Sequence, residues 1–465
     1  MSKTYDFIVI GGGSAGYAAA RTAVSLGLTV AVIEGGENVG GLCIWHGCMP
    51  SKTLIESANR FVTIRRAKEF GLRAENISVH SDEILARKEH LIADFSGHRR
   101  EQLEKGGFDF IRGMAAFVDG HTLEIVSMQN ETTRIIGKTF LIATGSVENK
   151  VNIPGLAETG FLDSDAVLDT TGIPSSVIVL GGGAIAMEFA HYYAAVGAQV
   201  TIVQRSDQVL KGMDPDVAGA LVSANEKRGM KVFLKTAVLK AERNGDKKRV
   251  WFQHQGVEKF VEADQIICAL GRVPNLHGLN LEHAGVAAEH GKLICSPFQQ
   301  TNVPHIFAGG DVDSSHETVH IAIQQGEIAA RNAAKILNAS AGELEKADYR
   351  LKLSVIFSEP QVAAVGLTAV ELTRANIPFR SAKYSFDDLG KSLVMGETEG
   401  FVKLLVAEKS GEILGAAVVG PHAAELIHEI VVAMHFHSTA ADLARVPHYH
   451  PTLSEIWTYP AEELA

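Results

Sequence analysis

Two cysteines lie close together in a glycine-rich stretch near the N-terminus. Residues 40–52 read GGLCIWHGCMPSK, which places Cys43 and Cys48 five positions apart at the start of a predicted helix. The two thiols could form a disulfide if the first helical turn is distorted, because a bridge needs Cα atoms within about 7 Å of each other. The helix N-terminus would stabilise a thiolate. The segment therefore predicts thiol–disulfide chemistry.

The chain has two further cysteines, and both lie in apolar surroundings. Cys268 follows the run QII and Cys295 follows KLI. A cysteine in such a run is most often a small buried hydrophobic residue. Four cysteines in 465 residues are too few for a disulfide-stapled scaffold. The redox chemistry is therefore expected at Cys43 and Cys48 alone.

An internal repeat predicts the elements that hold this site. Residues 6–34 read DFIVIGGGSAGYAAARTAVSLGLTVAVIE, and residues 176–204 read SVIVLGGGAIAMEFAHYYAAVGAQVTIVQ, with a constant offset of 170. Each copy reads as a strand, a glycine turn, a helix of small residues and a second strand, which is a βαβ unit. In the first copy Gly11 and Gly13 permit close approach of a pyrophosphate, and Gly16 lets the helix pack on the strand. Two dinucleotide sites in one chain indicate two cofactors that exchange electrons.

The two copies differ at the end of their second strand. Glu34 stands there in the first copy, and Gln204 followed by Arg205 stands there in the second. A carboxylate at this place binds ribose hydroxyls and repels a 2′-phosphate, whereas an amide beside a guanidinium would accept one. The first copy therefore predicts an FAD site and the second an NADPH site in preference to NADH. The alternative for Arg205 is an ordinary solvated surface charge.

At this point the chain resembles a known family. The segment GGLCIWHGCMP matches GGxCxxxGCxP, the redox-active disulfide motif of the class I flavoprotein pyridine nucleotide–disulfide oxidoreductases. That family includes dihydrolipoamide dehydrogenase, glutathione reductase and mercuric reductase, and the ending Ser51-Lys52 is more similar to the first and third.

Further motifs extend the resemblance over essentially the whole chain. They are LIATGS (141–146), CALGRVPN (268–275), IFAGGDV (306–312), TVHIAIQQG (318–326) and HYHPTLSE (448–455). They occur in the order that the family has them. The resemblance implies FAD and NAD(P)H as cofactors, a small disulfide or similar oxidant as substrate, and a homodimer with its active site across the interface.

The resemblance also implies roles for individual residues. The catalytic set would be Cys48 facing the flavin, Cys43 as interchange thiol, His450 as a base supplied by the partner subunit, Glu455 orienting it, and Lys52 near the flavin paired with Glu188. The FAD set would be Gly11, Gly13, Ser14, Ala15, Gly16, Glu34, Gly41, Lys52, Ala115, Thr144, Gly145, Asp311 and Val319. The NAD(P) set would be Gly181, Gly183, Ala184, Ile185, Gln204, Arg205 and Gly271.

Several residues depart from the family pattern. Leu42 replaces a usual threonine, and Trp45 and His46 are unusual between the two cysteines. A metal site could be considered for four histidines near the C-terminus: His435, His437, His448 and His450. Only His450 belongs to a recognised motif, so no metal is expected. No cysteine follows Cys295, so the extra C-terminal cysteines of mercuric reductase are missing.

Composition and charge limit the class of protein. The chain has 46% hydrophobic and 21% charged residues, so it can bury a core and is not intrinsically disordered. Its net charge of −11 argues against a nucleic-acid partner. No apolar run approaches the roughly 20 residues of a membrane span, and the N-terminus lacks the pattern of a signal peptide. A cytoplasmic protein is expected.

The predicted fold class is α/β, with two Rossmann-like domains and a C-terminal α+β dimerisation domain. We expect an FAD domain over residues 1–150 and 272–345, with a helical insertion near 50–105, an NAD(P) domain over 151–271 and the dimerisation domain over 350–465. The predicted activity is transfer of electrons from NAD(P)H through FAD and the Cys43–Cys48 pair to a small disulfide. The alternatives are an NAD-dependent dihydrolipoamide dehydrogenase, a reductase of a metal ion or other small oxidant, and a flavin sensor without turnover.

Overall fold

The computed structural model describes residues 3–313, 316–338 and 342–465. The chain divides into two units, each assembled from three segments. The first unit comprises Met1–Thr53, Ala86–Asn149 and Arg272–Asp348. The second comprises Leu54–Leu85, Lys150–Gly271 and Tyr349–Ala465.

Strands occur in both units. In chain order they are β1 (Lys3–Ile10), β2 (Val30–Glu34), β3 (Asp109–Phe117), β4 (Thr122–Ser127), β5 (Thr132–Ile142), β6 (Ser146–Glu148), β7 (Ser176–Leu180), β8 (Gln199–Val203), β9 (Lys231–Phe233), β10 (Thr236–Asn244), β11 (Lys247–His254), β12 (Val257–Ala263), β13 (Gln265–Cys268), β14 (Arg272–Pro274), β15 (Ala288–Glu289), β16 (Lys292–Leu293), β17 (Ile306–Ala308), β18 (Leu353–Ile356), β19 (Gln361–Gly366), β20 (Phe379–Ser385), β21 (Phe401–Ala407) and β22 (Ile413–Gly420).

The α-helices connect and cover these strands. In chain order they are α1 (Ser14–Ser25), α2 (Leu42–Trp45), α3 (Cys48–Arg65), α4 (Ser81–Glu104), α5 (Leu156–Thr159), α6 (Ala184–Ala195), α7 (Pro215–Lys227), α8 (Val319–Leu337), α9 (Ala369–Arg374), α10 (Gly390–Met395), α11 (Ala423–His435), α12 (Ala440–Ala444) and α13 (Thr458–Leu464). None of the helices in the described part of the chain is long and apolar enough to cross a membrane.

The first unit is built on a parallel sheet in the order β3-β2-β1-β5-β17. The antiparallel strand β4 joins β3 to the start of β5. Apolar side chains line both faces of this sheet in two separate clusters. That pattern is typical of a parallel sheet covered on both sides, and it explains why the sequences of β1 and β2 read as continuous apolar runs. Helices α1 and α8 lie against each other in this unit.

The second unit contains three sheets. Strands β13-β7-β8-β9 form a parallel sheet, β10-β11-β12 form an antiparallel sheet, and β18-β19-β22-β21-β20 form a second antiparallel sheet. The last of these packs against α11 and α13 over a core that includes the fully buried Trp457. The predicted combination of two dinucleotide-type βαβ units with an α+β C-terminal part is therefore confirmed.

The repeat seen in the sequence is also a repeat of backbone geometry. The unit β1–α1–β2 matches β7–α6–β8, and Gly11 and Gly181 adopt φ angles of 108° and 119°. A Cβ atom on either glycine would lie 2.3 Å from a carbonyl oxygen, that of Ala143 or that of Ala269. Both turns therefore require glycine, because the chain leaving a neighbouring strand passes directly over each.

A buried histidine in the second unit makes stability depend on pH. His191 on α6 places Nε2 2.7 Å from Asn59 Oδ1 on α3, and burial lowers its pKa from 6.5 to about 4. Between these values the unfolded chain binds a proton that the folded chain does not. Stability therefore rises with pH across this window and is lost as the pH falls, by roughly 3 kcal/mol in total.

We expect His191→Gln to flatten this dependence between pH 4 and 6.5, measured as the midpoint of urea unfolding at each pH. The exposed His98 supplies the matched control, since His98→Gln should leave the wild-type slope in place. An unchanged slope in His191→Gln would show that another group sets it.

Candidate active site

The two cysteines of the predicted redox pair lie on consecutive helices. Cys43 is on the short helix α2, and Cys48 begins α3. Between them, a Cβ atom on Gly47 would lie 3.1 Å from the carbonyl oxygen of Leu42 and 3.2 Å from Cys43 Cα. Glycine lets the chain fold back tightly enough for the two side chains to form a hydrogen bond.

The surroundings of the Cys43 thiol shift its pKa. The hydrogen bond with Cys48, burial and the negative charge of Cys48 all raise the pKa of Cys43, while Lys52 acts weakly in the opposite direction. The Cys43 thiol therefore gives up its proton less readily than an isolated cysteine does.

His450 and Glu455 form a histidine–carboxylate pair in the second unit. His450 Nδ1 lies 3.0 Å from Glu455 Oε2, with 78% of the imidazole side chain exposed but only 11% of the carboxylate side chain. Trp457, two residues after Glu455, is fully buried and donates from Nε1 to the carbonyl oxygen of Leu426. Because a carboxylate can only accept, Nδ1 carries the hydrogen and Nε2 is the nitrogen that can take up a proton.

Other histidines nearby have carboxylate partners of their own. His448 Nε2 lies 2.6 Å from Glu429 Oε1, and His437 Nδ1 lies 2.7 Å from Glu412 Oε1. Across residues 3–313, 316–338 and 342–465, no group of three or more histidine, cysteine or acidic side chains could hold a metal ion. Sequence reasoning missed Glu429, because nothing local connects it to His448.

The first glycine turn has the features that FAD requires. Glu34 is buried, and its carboxylate accepts hydrogen bonds from the backbone N–H groups of Gly12 at 2.9 Å and Gly36 at 2.8 Å. The first turn of α1 has no side-chain cap, so its N–H groups can bind a pyrophosphate. A Cβ atom on Gly41 would lie 2.7 Å from Gly13 Cα, so the cysteine-bearing segment touches this turn. The residues present therefore fit the cofactor.

Three further predicted FAD residues, Thr144, Gly145 and Asp311, lie just after the carboxyl ends of β5 and β17. Thr144 donates from Oγ1 to the carbonyl oxygen of Asn275 at 2.7 Å, and Ser146 donates from Oγ to Asp311 Oδ2 at 2.8 Å. Gly145 adopts a φ of 70°. Elsewhere in this unit Ala115 is buried on β3, and Val319 begins α8.

One residue that holds this region was missed from the sequence. Gln325 on α8 is fully buried, accepts from Gly310 N–H at 2.7 Å and donates to Asp313 Oδ2 at 2.8 Å. It ties the IFAGGDV stretch to the helix that follows. Its place inside the recognised segment TVHIAIQQG was the available signal.

The second glycine turn repeats the first except at the strand end. Gln204 Nε2 donates to the carbonyl oxygen of Gln208 at 3.1 Å, and its Oε1 accepts from the Arg205 N–H at 3.1 Å. The Arg205 side chain is exposed and has no ion-pair partner among the residues that the structure describes. The other predicted NAD(P) residues are Gly181 in the turn, Gly183 as the N-cap of α6, Ala184 and Ile185 at the start of α6, and Gly271 with a φ of 97°.

The predicted Lys52–Glu188 pair stays a prediction. Lys52 is on α3, where its charge acts on Cys43. Glu188 is buried on α6 and accepts a hydrogen bond from the N–H of Phe357 at 3.1 Å.

Comparison with models of protein families shows which family this chain belongs to. The family model described as pyridine nucleotide-disulphide oxidoreductase matches residues 5–326. The family model of the dimerisation domain of the same oxidoreductases matches residues 353–461. The chain belongs to the pyridine nucleotide-disulphide oxidoreductase family. It is therefore an enzyme that uses FAD and NAD(P)H, as predicted, and its dimerisation domain supports a homodimer.

The relatives similar to this oxidoreductase include dihydrolipoyl dehydrogenases and mercuric reductases. A dihydrolipoyl dehydrogenase from Chlamydia trachomatis is 33% identical over 430 residues, which cover 92% of this chain and 90% of the relative. A mercuric reductase from Bacillus cereus is 33% identical over 426 residues, which cover 91% of this chain and 66% of that longer protein.

Solved structures with the same fold extend over the full chain. LpdA from Mycobacterium tuberculosis superposes with a TM-score of 0.88 at 28% identity, covering 99% of both chains. A Cu(II) complex of RclA, an HOCl-induced flavoprotein disulfide reductase from Escherichia coli, gives a TM-score of 0.86 at 25% identity and covers all of both chains. The predicted family and fold class of the oxidoreductase are confirmed, whereas the roles of individual site residues remain predictions.

Proposed function

We propose that this oxidoreductase takes two electrons from NADPH and passes them through FAD to the Cys43–Cys48 pair, which reduces a small disulfide. The observation that carries the proposal is the contact between the side chains of Cys43 and Cys48 at the junction of α2 and α3. In this proposal Cys48 acts toward the flavin and Cys43 acts on the substrate.

Bound FAD supplies the two-electron relay between the nicotinamide and the sulfur pair. Cys43 loses its proton to a base, and its thiolate attacks one sulfur of the substrate, which forms a mixed disulfide and releases the other sulfur as a thiolate. The Cys48 thiolate then attacks the Cys43 sulfur, which closes the Cys43–Cys48 disulfide and releases the second product thiolate. The substrate is thereby reduced by two electrons and the cysteine pair is oxidised by two.

His450 is the base in this proposal, and it acts on Cys43 of the partner subunit. Its Nε2 takes the Cys43 proton and returns it to the departing thiolate, while Glu455 holds the ring by Nδ1. The exposure of the imidazole in a single chain supports this role, because a base that serves another subunit must project outward.

We further propose the domain division that the motifs suggest. Residues 1–150 and 272–345 would hold FAD, residues 151–271 NADPH, and residues 350–465 the dimer contact. The presence of Gly11 and Asp311 in one unit, and of the dimerisation-domain match in residues 353–461, supports this division. A dithiol that is kept reduced by NADPH fits a reducing compartment, so we propose the cytoplasm as its location.

The preference for NADPH rests on the internal repeat. Glu34 is held by the N–H of Gly12, and Gln204 takes the corresponding place against Gly182 without a negative charge. A charge-assisted hydrogen bond between Arg205 and a 2′-phosphate contributes roughly 1.5–3 kcal/mol, which is about 10- to 150-fold in specificity. Gln204→Glu combined with Arg205→Ala should shift the ratio of kcat/KM for NADPH over NADH by that factor toward NADH.

The control for this change is Lys227→Ala, which removes one exposed positive charge from α7 and should leave the ratio where it was. A wild-type enzyme with the higher kcat/KM for NADH, or a ratio that the double change does not move, would overturn the NADPH assignment.

The substrate is tested by one steady-state assay. The purified holoenzyme is offered lipoamide, glutathione disulfide and other small disulfides, each with NADPH and with NADH. Turnover of a disulfide supports the proposal. The similarity to dihydrolipoyl dehydrogenases favours a second candidate, oxidation of dihydrolipoamide by NAD⁺, and the reverse assay with NAD⁺ measures it directly. Failure with every disulfide in both directions would reject both candidates.

A further inference from the structure

A half-buried arginine lies near the cysteine pair within the first unit. Arg99 is on the last turns of α4, and its guanidinium stacks over the ring of Tyr17 at 4.3 Å from the ring centre. Its aliphatic stem packs over the backbone of Gly40, three residues before Cys43. The charge of Arg99 interacts with Cys43 itself. Three chain segments thus converge on one cation next to the interchange thiol.

This guanidinium lacks a counter-ion. No carboxylate forms an ion pair with Arg99 in the described ranges 3–313, 316–338 and 342–465, and its Nη1 is buried there without a hydrogen-bond partner. Burial lowers the pKa of Arg99, and the nearby charge of Arg21 adds to that effect. A half-buried cation with an unused donor is stabilised when something negative binds it.

We infer that Arg99 binds an oxyanion on the substrate, so the disulfide that Cys43 attacks carries a carboxylate or a similar anionic group. The planar guanidinium presents paired N–H donors that match the two oxygens of a carboxylate. The Tyr17 ring holds that plane in one orientation and so fixes the direction of the N–H donors, of which Nη1 has no partner in the described ranges. Binding the anionic group here would bring the attached disulfide to Cys43. This inference rests on the proposed disulfide reductase function.

The first experiment does not depend on any disulfide being a substrate. Holoenzyme reduced with dithiothreitol is alkylated with iodoacetate or with iodoacetamide, which differ in one negative charge, and modification of Cys43 is followed by peptide mass spectrometry. The ratio of the two rate constants should fall roughly 10-fold or more in Arg99→Gln, the lower end of the effect of a charged hydrogen bond. A change in thiol reactivity would alter both rates equally and leave the ratio unaffected.

The matched control is Arg100→Gln, which removes an exposed charge from the next position of α4. It should retain the wild-type ratio. An equal fall of the rate ratio in both variants would mean that any nearby positive charge attracts iodoacetate, and this result would overturn the inference. Loss of FAD from Arg99→Gln with an unchanged ratio would also overturn it, because Arg99 would then bind the cofactor.

The second experiment compares 3,3′-dithiodipropionate with its uncharged diamide as substrates. The wild type should show a kcat/KM at least roughly 10-fold higher for the acid, and Arg99→Gln should lose that difference mainly through KM. Equal use of the two disulfides would overturn the anion site while leaving the reductase function standing. If neither disulfide reacts, the alkylation ratio alone decides whether Arg99 recruits anions to Cys43.

Discussion

Replacing Cys43 with serine is expected to abolish disulfide reduction, with a loss of about three orders of magnitude or more in kcat. Serine cannot form the mixed disulfide, so the attack on the substrate has no nucleophile. The partner thiol Cys48 then has no sulfur with which to share its proton and should persist as a thiolate beside oxidised flavin. A long-wavelength charge-transfer absorbance band should therefore appear in the purified variant. The same variant should show no turnover in a steady-state assay with a disulfide substrate.

Two further variants make this result specific. Cys48→Ser should also stop turnover but should show no such band, because the thiol proposed to face the flavin is then missing. Cys268→Ser, at a buried thiol in the second unit, should keep both the activity and the ordinary flavin spectrum. Disulfide turnover that survives in Cys43→Ser would show that the proposed mechanism is wrong.

Loss of the base is expected to have the second largest effect. His450→Ala should reduce kcat by roughly 10²- to 10⁴-fold, the range that general acid–base catalysis supplies. If His450 serves Cys43 of the partner subunit, a heterodimer of a Cys43→Ser chain and a His450→Ala chain contains one complete site. Two different affinity tags allow that heterodimer to be purified, and it should recover about half of the wild-type activity per dimer, since one of two sites is intact.

Two other variants serve as controls for the His450→Ala experiment. Glu455→Gln keeps the size of the side chain but replaces the carboxylate that holds Nδ1, so it should lower activity less than His450→Ala does. His437→Ala removes a different exposed histidine that is also paired with a carboxylate, Glu412, and should have wild-type activity. A purified heterodimer with no recovered activity would reject catalysis across the subunit interface.

The parts of the fold that could be predicted are those encoded in short, continuous segments. The two βαβ units, the glycine turns and the boundaries of α1 and α6 follow from apolar runs and glycine spacing within about 30 residues. The offset of 170 between the copies reappears in the structure, where α1 begins at Ser14 and α6 at Ala184. Three of the five strands of the C-terminal sheet, β18, β21 and β22, likewise lie in short apolar runs of the sequence, LSVIFS, GFVKLLVAE and EILGAAVVG.

Contacts between distant segments could not be predicted in this way. The Gln325 clamp on Gly310 and Asp313 joins a helix to the turn before it, and the Glu429–His448 pair joins α11 to a loop. No periodicity links such residues, since their proximity depends on how whole elements pack. The same is true of the fit between Gly41 and Gly13, which brings the cysteine segment against the FAD turn.

The sequence by itself determined the family, the fold class and both cofactors, and it predicted the redox pair, because each depends on residues that are neighbours along the chain. Only the tertiary structure decided the electrostatic character of the site. It placed Arg99 of α4 over Tyr17 of α1 and beside Cys43, three residues that no spacing rule connects. Burial and ion pairing are properties of packed surroundings, so a charge that acts on Cys43 and has no ion-pair partner within residues 3–313, 316–338 and 342–465 became visible only when the elements were brought together.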